Sequence, residues 1–220
     1  MDRLAPAFYF DLASPEAYLA AERALRVLPG PCEWQPIHAA RLPHAESFEA
    51  YRCANEELIS REEIARRARI HGLQPVRWPV SFPFDSELAM LAATYAKRIG
   101  RTVAFALAAF RQAFAAGRDL SVQENVLIAA AACEIHPTAL IKAIGSRGVR
   151  DELDRATAAA LELGVIDVPA VLVGDHVLVG DGRLEEAGRL LGGVERLGGV
   201  EALGGVEPLG GVDRLGGVDR

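Results

Sequence analysis

Cysteine is scarce in this chain. Cys32, Cys53 and Cys133 are the only three among 220 residues, they lie at long, irregular spacings, and no Cys-x-x-Cys occurs. Their pattern offers no Cys-x-x-Cys redox motif and none of the usual zinc frameworks, and its default reading is reduced, structural thiols. Long apolar runs are missing as well: the longest, Val103 to Phe110 and Val126 to Cys133, are eight residues each, far short of the roughly 20 that cross a bilayer as a helix. Positive charge is in deficit, with 24 Lys and Arg against 30 Asp and Glu and a net charge of −6, so nucleic acid is not the expected partner. No two of His38, His44, His71, His136 and His176 share a metal-ligand spacing, and no metal is expected. Asp2, Arg3 and Asp11 leave no room for a signal-peptide apolar region, which places the expected protein in the cytoplasm.

Glycine is abundant in one place only. Ten of the 21 glycines fall in Leu191 to Arg220, where Leu-Gly-Gly-Val-acid-X is written five times in succession. That density leaves too little side-chain volume for a β-helical core, so a flexible, low-complexity tail is expected over 192–220 and a single domain over 1–191.

Within the domain, Ala7 to Leu12 is apolar at nearly every position and reads as a strand buried on both faces. Ser14-Pro15 follows at once, an N-cap serine with proline at the first helical position, and predicts a helix through Tyr18 and Leu25 to Leu28. Pro29-Gly30-Pro31 stops it, and Cys32 to Ile37 reads as a second strand, parallel to the first. The stretch 46–163 carries helical patterns only, read at 46–71 with a break near Ser60, 85–99, 101–116, 121–134, 137–145 and 149–163. Ser60-x-x-Glu63 and Ser121-x-x-Glu124 are taken as capping boxes opening helices. Ala170 to Val173 and His176 to Val179, around Gly174-Asp175, form a hairpin, and Arg183 to Leu191 a last helix. This βαβ…ββα order with a large all-helical insertion is that of an α/β thioredoxin fold.

Two residues distant in sequence carry chemistry in such a fold. Ser14 stands at a helix start, where backbone N–H groups stabilise a thiolate or other anion; the plainer role is a helix cap. Val168-Pro169 precedes the third strand, where a cis-proline would leave the Val168 N–H and C=O to pair with an extended ligand.

The segments Phe8-Tyr-Phe-Asp-Leu-Ala-Ser14-Pro15-x-x-Tyr18, Gly164-Val-x-x-Val168-Pro169 and Gly180-x-x-Arg183-Leu184 together resemble the 2-hydroxychromene-2-carboxylate isomerases and kappa-class glutathione transferases of the DsbA-like superfamily. The resemblance spans about residues 5–191. It implies a homodimeric enzyme that uses glutathione, or another low-molecular-weight thiol, to isomerise or conjugate a small-molecule substrate, an electrophilic aromatic carboxylate. Ser14 would hold the thiolate, while Val168, Pro169, Asp181 and Arg183 would bind the rest of the thiol. Trp78 and Phe82, in an aromatic, proline-rigidified loop, would line the substrate side.

The pattern departs from the family at two points. Gly182 stands where aspartate usually precedes the Arg-Leu pair, leaving Asp181 as the nearby acid. Serine and alanine stand at positions 14 and 17, where a disulfide oxidoreductase needs cysteines, and serine cannot form a mixed disulfide. The alternatives are a DsbA-like peptide- or thiol-binding module without disulfide chemistry, and redox work by Cys32, Cys53 or Cys133 elsewhere; Arg66, Arg67, Arg69 and His71 read as a solvated helix end. Truncation of Gly192 to Arg220 is expected to leave melting temperature and activity nearly unchanged, checked by calorimetry on the two chain lengths.

Overall fold

The computed structural model describes residues 5–43 and 54–203. Four strands form one mixed sheet in the order β2-β1-β3-β4. β1 (Ala7–Phe10) pairs in parallel with β2 (Glu33–Pro36), Ala7 opposite Glu33 and Phe10 opposite Pro36. The crossover between them is α1 (Pro15–Val27). β3 (Ala170–Val173) runs antiparallel to β1, Tyr9 opposite Ala170, and the Gly174-Asp175 turn returns the chain as β4 (His176–Val179).

Alternation along the strands divides two cores. Phe8, Phe10, Val171 and Val173 point into the larger one with Trp34, α1 and the helical insertion, and the Phe8 and Trp34 rings meet edge-on at 4.8 Å. Ala7, Tyr9, Ala170 and Leu172 face the opposite way, onto Ile37, Leu42, Ala160, Val165 and Val168. Covered on both faces, β1 has no polar alternation because neither side meets water.

The insertion contains only helices among the described residues: α2 (Ala54–Ile70), α3 (Glu87–Arg98), α4 (Thr102–Phe110), α5 (Gln123–Ala131), α6 (Pro137–Ile144) and α7 (Arg147–Glu162). α4 runs directly into a π-helical turn, Arg111–Ala115. Two helix starts differ from expectation. Ser60 lies inside an unbroken α2, since Glu56, Glu57 and Leu58 before it and Arg61, Glu62 and Glu63 after it are all strong helix formers that outweigh one serine. At the other, Asp119 takes the role given to Ser121: its carboxylate accepts the Ser121 N–H at 2.7 Å, and α5 starts after Val122, an aspartate turn competing successfully with a serine cap. Cys53 and His44 lie outside the described residues.

After β4, a 3-10 turn (Asp181–Arg183) leads into α8 (Leu184–Leu203). The helix was expected to stop near Leu191. Instead it continues into the repeats, because glycine weakens an α-helix by about 1 kcal/mol per residue without forbidding it, and no proline occurs between Leu184 and Pro208. A domain boundary at Leu191 therefore falls within a helix; residues 204–220 lie outside the described residues. No helix among the described residues is long and apolar enough to cross a membrane.

α8 packs on the end of α1 through a glycine. A Cβ built on Gly188 would lie 2.4 Å from the Val27 carbonyl oxygen, a backbone atom that can retreat only if the helices separate. Gly188→Ala is expected to destabilise the chain by about 1–3 kcal/mol, read as a lowered midpoint in urea unfolding; an unchanged midpoint would show that the two helices are not in this contact.

Candidate functional site

The position of Ser14 is set by a buried carboxylate. Asp11 leaves β1 with its side chain sealed in the protein, where Oδ1 accepts the Ala13 N–H at 2.9 Å. Oδ2 accepts the Ala39 N–H at 2.9 Å and the Ser86 hydroxyl at 3.0 Å. Burial pushes this carboxyl above the usual carboxylate range, against the downward pull of its three donors and of His38. The Asp11 carbonyl accepts the Ser14 N–H at 3.1 Å, so one residue clamps the β1–α1 turn from both ends.

Ser14 then caps α1: its Oγ accepts the Ala17 N–H at 3.0 Å and donates to the Val168 carbonyl at 3.4 Å. The Val168–Pro169 peptide is cis. Two segments 154 residues apart in sequence thus meet at the N-terminus of α1, where unpaired N–H groups give the site a positive potential. The Val168 backbone is not left open, however. Its N–H donates to the Asp167 carboxylate at 2.7 Å, and the Pro169 carbonyl accepts the Gly180 N–H at 2.7 Å.

Gly180 links this point to a charge cluster. Asp181 is buried, with Oδ1 bonded by Arg67 of α2 and Oδ2 3.4 Å from Arg23 of α1. Arg23 is itself wholly buried. It donates to the Leu19 carbonyl at 3.0 Å, the Asp181 carbonyl at 2.6 Å and Glu185 at 2.6 Å, and lies 3.5 Å from His71 Nδ1. Arg67 also reaches Glu16 in the first turn of α1 at 3.4 Å. Burial raises the Glu16 carboxyl, with Arg67 drawing it back down. Asp181 is therefore a neutralised member of an ion network rather than an open grip. Arg183 faces solvent and forks onto Glu186, away from this network.

Trp78 and Phe82 are half-buried and meet edge-on at 4.8 Å in a loop whose Phe82–Pro83 peptide is cis. Both rings contact Phe114, at 5.9 and 6.1 Å, and Phe114 stacks on Tyr18 of α1 at 5.6 Å. The Arg61 guanidinium lies over Trp78 at 5.0 Å and Phe82 at 5.9 Å, with its Nε buried and without an acceptor. Burial pushes the Tyr18 hydroxyl up to about 12 and the Cys32 thiol, with help from Glu33, up to about 12. It also raises the Cys133 thiol. Neither described cysteine is a ready thiolate, which counts against redox chemistry by Cys32 or Cys133.

Sequence reasoning thus placed Ser14, Val168 and Pro169 together and missed Arg23, Arg61, Arg67 and Asp11 as participants. One signal was present for Arg23: it falls on the face of α1 shared by Leu19 and Ala20, where a charge has to be buried with its partner.

A β2-β1-β3-β4 sheet whose first helix begins beside a cis-proline, with helices inserted between its halves, is a thioredoxin fold of the DsbA type. The chain belongs to the DSBA-like thioredoxin domain family, which matches residues 7–191. No curated protein sequence matches it significantly. Among solved structures it is similar to a 2-hydroxychromene-2-carboxylate isomerase, with a TM-score of 0.78 and 20% identity over 90% of this chain and 99% of that one. It is also similar to a probable DsbA oxidoreductase from Streptomyces coelicolor, with a TM-score of 0.70 and 18% identity over 95% and 94%. A third is the cytosolic disulfide reductase DsbM from Pseudomonas aeruginosa with GSH, at 0.61 and 15% over 88% and 98%. At these identities the likeness carries the fold.

The ion network predicts a pH response. Burial, then Arg23, holds the His71 imidazolium below its ordinary value, with Glu185 and Asp181 opposing and Arg26 adding to the shift. The folded chain thus prefers neutral His71, and this contribution is lost as pH falls below the unfolded value of about 6.5. Melting temperatures of wild type and His71→Gln are expected to diverge between pH 8 and 5, the wild type losing more on acidification; parallel curves would refute the shift.

Proposed function

We propose that this chain is a thiol-dependent isomerase or transferase acting on an electrophilic aromatic carboxylate, with glutathione or another low-molecular-weight thiol as co-substrate. The observation that carries the proposal is the Ser14 hydroxyl at the N-terminus of α1, 3.4 Å from the carbonyl that precedes cis-Pro169. A bound thiolate supplies a nucleophile that adds reversibly to a conjugated substrate, permits rotation about the former double bond and leaves again.

The chain's own residues hold that sulfur and keep it anionic. Ser14 turns its proton from Val168, where the bond is long and weak, to the sulfur. The exchange replaces a neutral hydrogen bond by a charge-assisted one. The α1 N-terminus adds its partial positive charge, lowering the thiol's pKa in place. A cysteine at position 14 would form a mixed disulfide here; serine stabilises the thiolate without consuming it.

Ser14 is buried, so a sulfur reaches it only if the neighbouring side chains part, and the far end of glutathione meets residues that are already committed. Both Asp181 oxygens are taken by arginines, so a γ-glutamyl amine would meet an already compensated carboxylate, and Arg183 is turned to solvent. On the substrate side, Arg61 lies over Trp78 and Phe82 with its buried Nε unpaired while Nη2 pairs with Glu57, so a ring bearing a carboxylate would find an aromatic wall and a cation it has to share with Glu57. The bond from Val168 N–H to Asp167 weighs against any extended ligand that needs that donor, whether a peptide or the cysteinyl unit of glutathione, and favours a smaller thiol. A structural neighbour described as cytosolic supports a cytoplasmic setting.

Calorimetric titration with glutathione, cysteine and other small thiols is the test. Binding to wild type is expected for at least one of them, with Ser14→Ala weakening it about 10- to 100-fold, the worth of a hydrogen bond to a charged group. No heat with any thiol, or a variant that binds and turns over like wild type, would overturn the proposal.

A further inference from the structure

We infer that Glu16 is the proton acceptor for the incoming thiol: its carboxylate takes the S–H proton and, once neutral, yields the start of α1 to the thiolate so formed. The inference rests on the thiol reading proposed above. Glu16 stands two residues after Ser14 in the first turn of α1. Its side chain is 37% exposed, whereas Asp11 and Asp181 are buried, so of these three carboxylates Glu16 is the one a ligand can reach.

The N–H groups that the helix itself leaves unpaired already have local partners. Pro15 has none to offer. The Ala17 N–H is accepted by Ser14 Oγ at 3.0 Å, the Tyr18 N–H by the Ser14 carbonyl at 3.1 Å, and the Glu16 N–H by Glu16's own carboxylate. The positive end of α1 therefore holds an internal anion. A thiolate that joined it with Glu16 still ionised would place two negative charges at one helix end. A neutral thiol that leaves its proton on Glu16 exchanges one anion for another, and the charge of the site is unchanged.

The groups around Glu16 suit it to that exchange. Arg67 of α2 approaches it at 3.4 Å but gives its other terminal nitrogen to Asp181, so Arg67 keeps an acid partner when Glu16 is protonated. From the segment before β3, Asp167 acts on Glu16 while its own carboxylate accepts the Val168 N–H. Burial raises the Glu16 carboxyl most, its own N–H and Arg67 pull it down, and Asp181 and Asp167 push it up again. A carboxylate so raised is a stronger base towards a thiol than one in water.

When the thiol binds, the S–H bond breaks with its electron pair left on sulfur, and an O–H bond forms on Glu16. In isomerisation the sulfur adds to the conjugated double bond, and the π pair moves into an enolate. After rotation the pair returns, the C–S bond breaks, and the thiol recovers its proton from Glu16 as it leaves. In conjugation the same proton passes from Glu16 to the enolate carbon, and the carboxylate is restored for the next thiol.

Calorimetric titration of the full chain with mercaptoethanol and with glutathione, repeated in buffers of different ionisation enthalpy, counts the protons released to solvent per thiol bound. For wild type at neutral pH the count is expected to be close to none, since the thiol proton stays on Glu16, and to rise towards about one as acid protonates Glu16 beforehand. Glu16→Gln keeps the side-chain length and cannot accept the proton, so it is expected to release about one at neutral pH. Circular dichroism confirms that its fold is kept. A wild type that releases a full proton at neutral pH, a count that does not change with acidification, or a variant that binds thiol and releases none would each overturn the inference while thiol binding at Ser14 stands. Absence of heat with both thiols in wild type would remove the thiol reading and this inference with it.

Discussion

Asp11 is the constraint on which the site depends. Its carboxylate is sealed from water and engaged by donors from three places in the chain: the turn into α1, the turn after β2 and the start of α3. Removing a carboxylate from water is expensive unless its lone pairs are filled, so none of these segments can move without leaving an unsatisfied buried charge. Ser14 lies three residues further on, bonded to the Asp11 carbonyl. Its place beside Val168 is therefore inherited from a clamp that itself has no chemistry to perform.

The second organising element is Arg23, which draws α1, the end of α2, the Asp181–Arg183 turn and α8 around one guanidinium. The planar fork suits this task, since several donors leave one group in fixed directions. With the Gly180 bond to the Pro169 carbonyl, the network carries rigidity from the helices to the cis-proline. It also bears on the electrostatics near the start of α1: Asp181 is shared between Arg23 and Arg67, so its charge is largely compensated.

Much of the fold was legible because its signals are local. Ala7 to Phe10 has no polar alternation since both faces of β1 are covered; Ser14-Pro15 is a cap and a first helical residue; Gly174-Asp175 closes a hairpin. Where the reading slipped, a second local signal competed with the first. Asp119 displaced Ser121 as the organiser of the turn into α5, Ser60 was outvoted by its helix-forming neighbours, and α8 ran past Leu191 because glycine discourages a helix without stopping it. At the site, Ser14 and the cis-proline could be named since each has a sequence signature. Arg67 could not be placed, because nothing in a run of arginines says which one turns inward.

The sequence by itself determined the element order, the helix start that presents Ser14, the absence of a cysteine with which to form a mixed disulfide there, and the proline that opens β3. Each follows from residue type and near neighbours, whereas the cis state of that proline was expected only once the fold was inferred. Only the tertiary structure decided that Ser14 and Val168 touch, that Asp181 is already held by two arginines, that the Val168 N–H is taken by Asp167, and that Glu16 lies within reach of Arg67. Those are facts about which groups meet after the chain has closed on itself. Pairing and desolvation depend on positions in space that residues far apart in sequence reach only together.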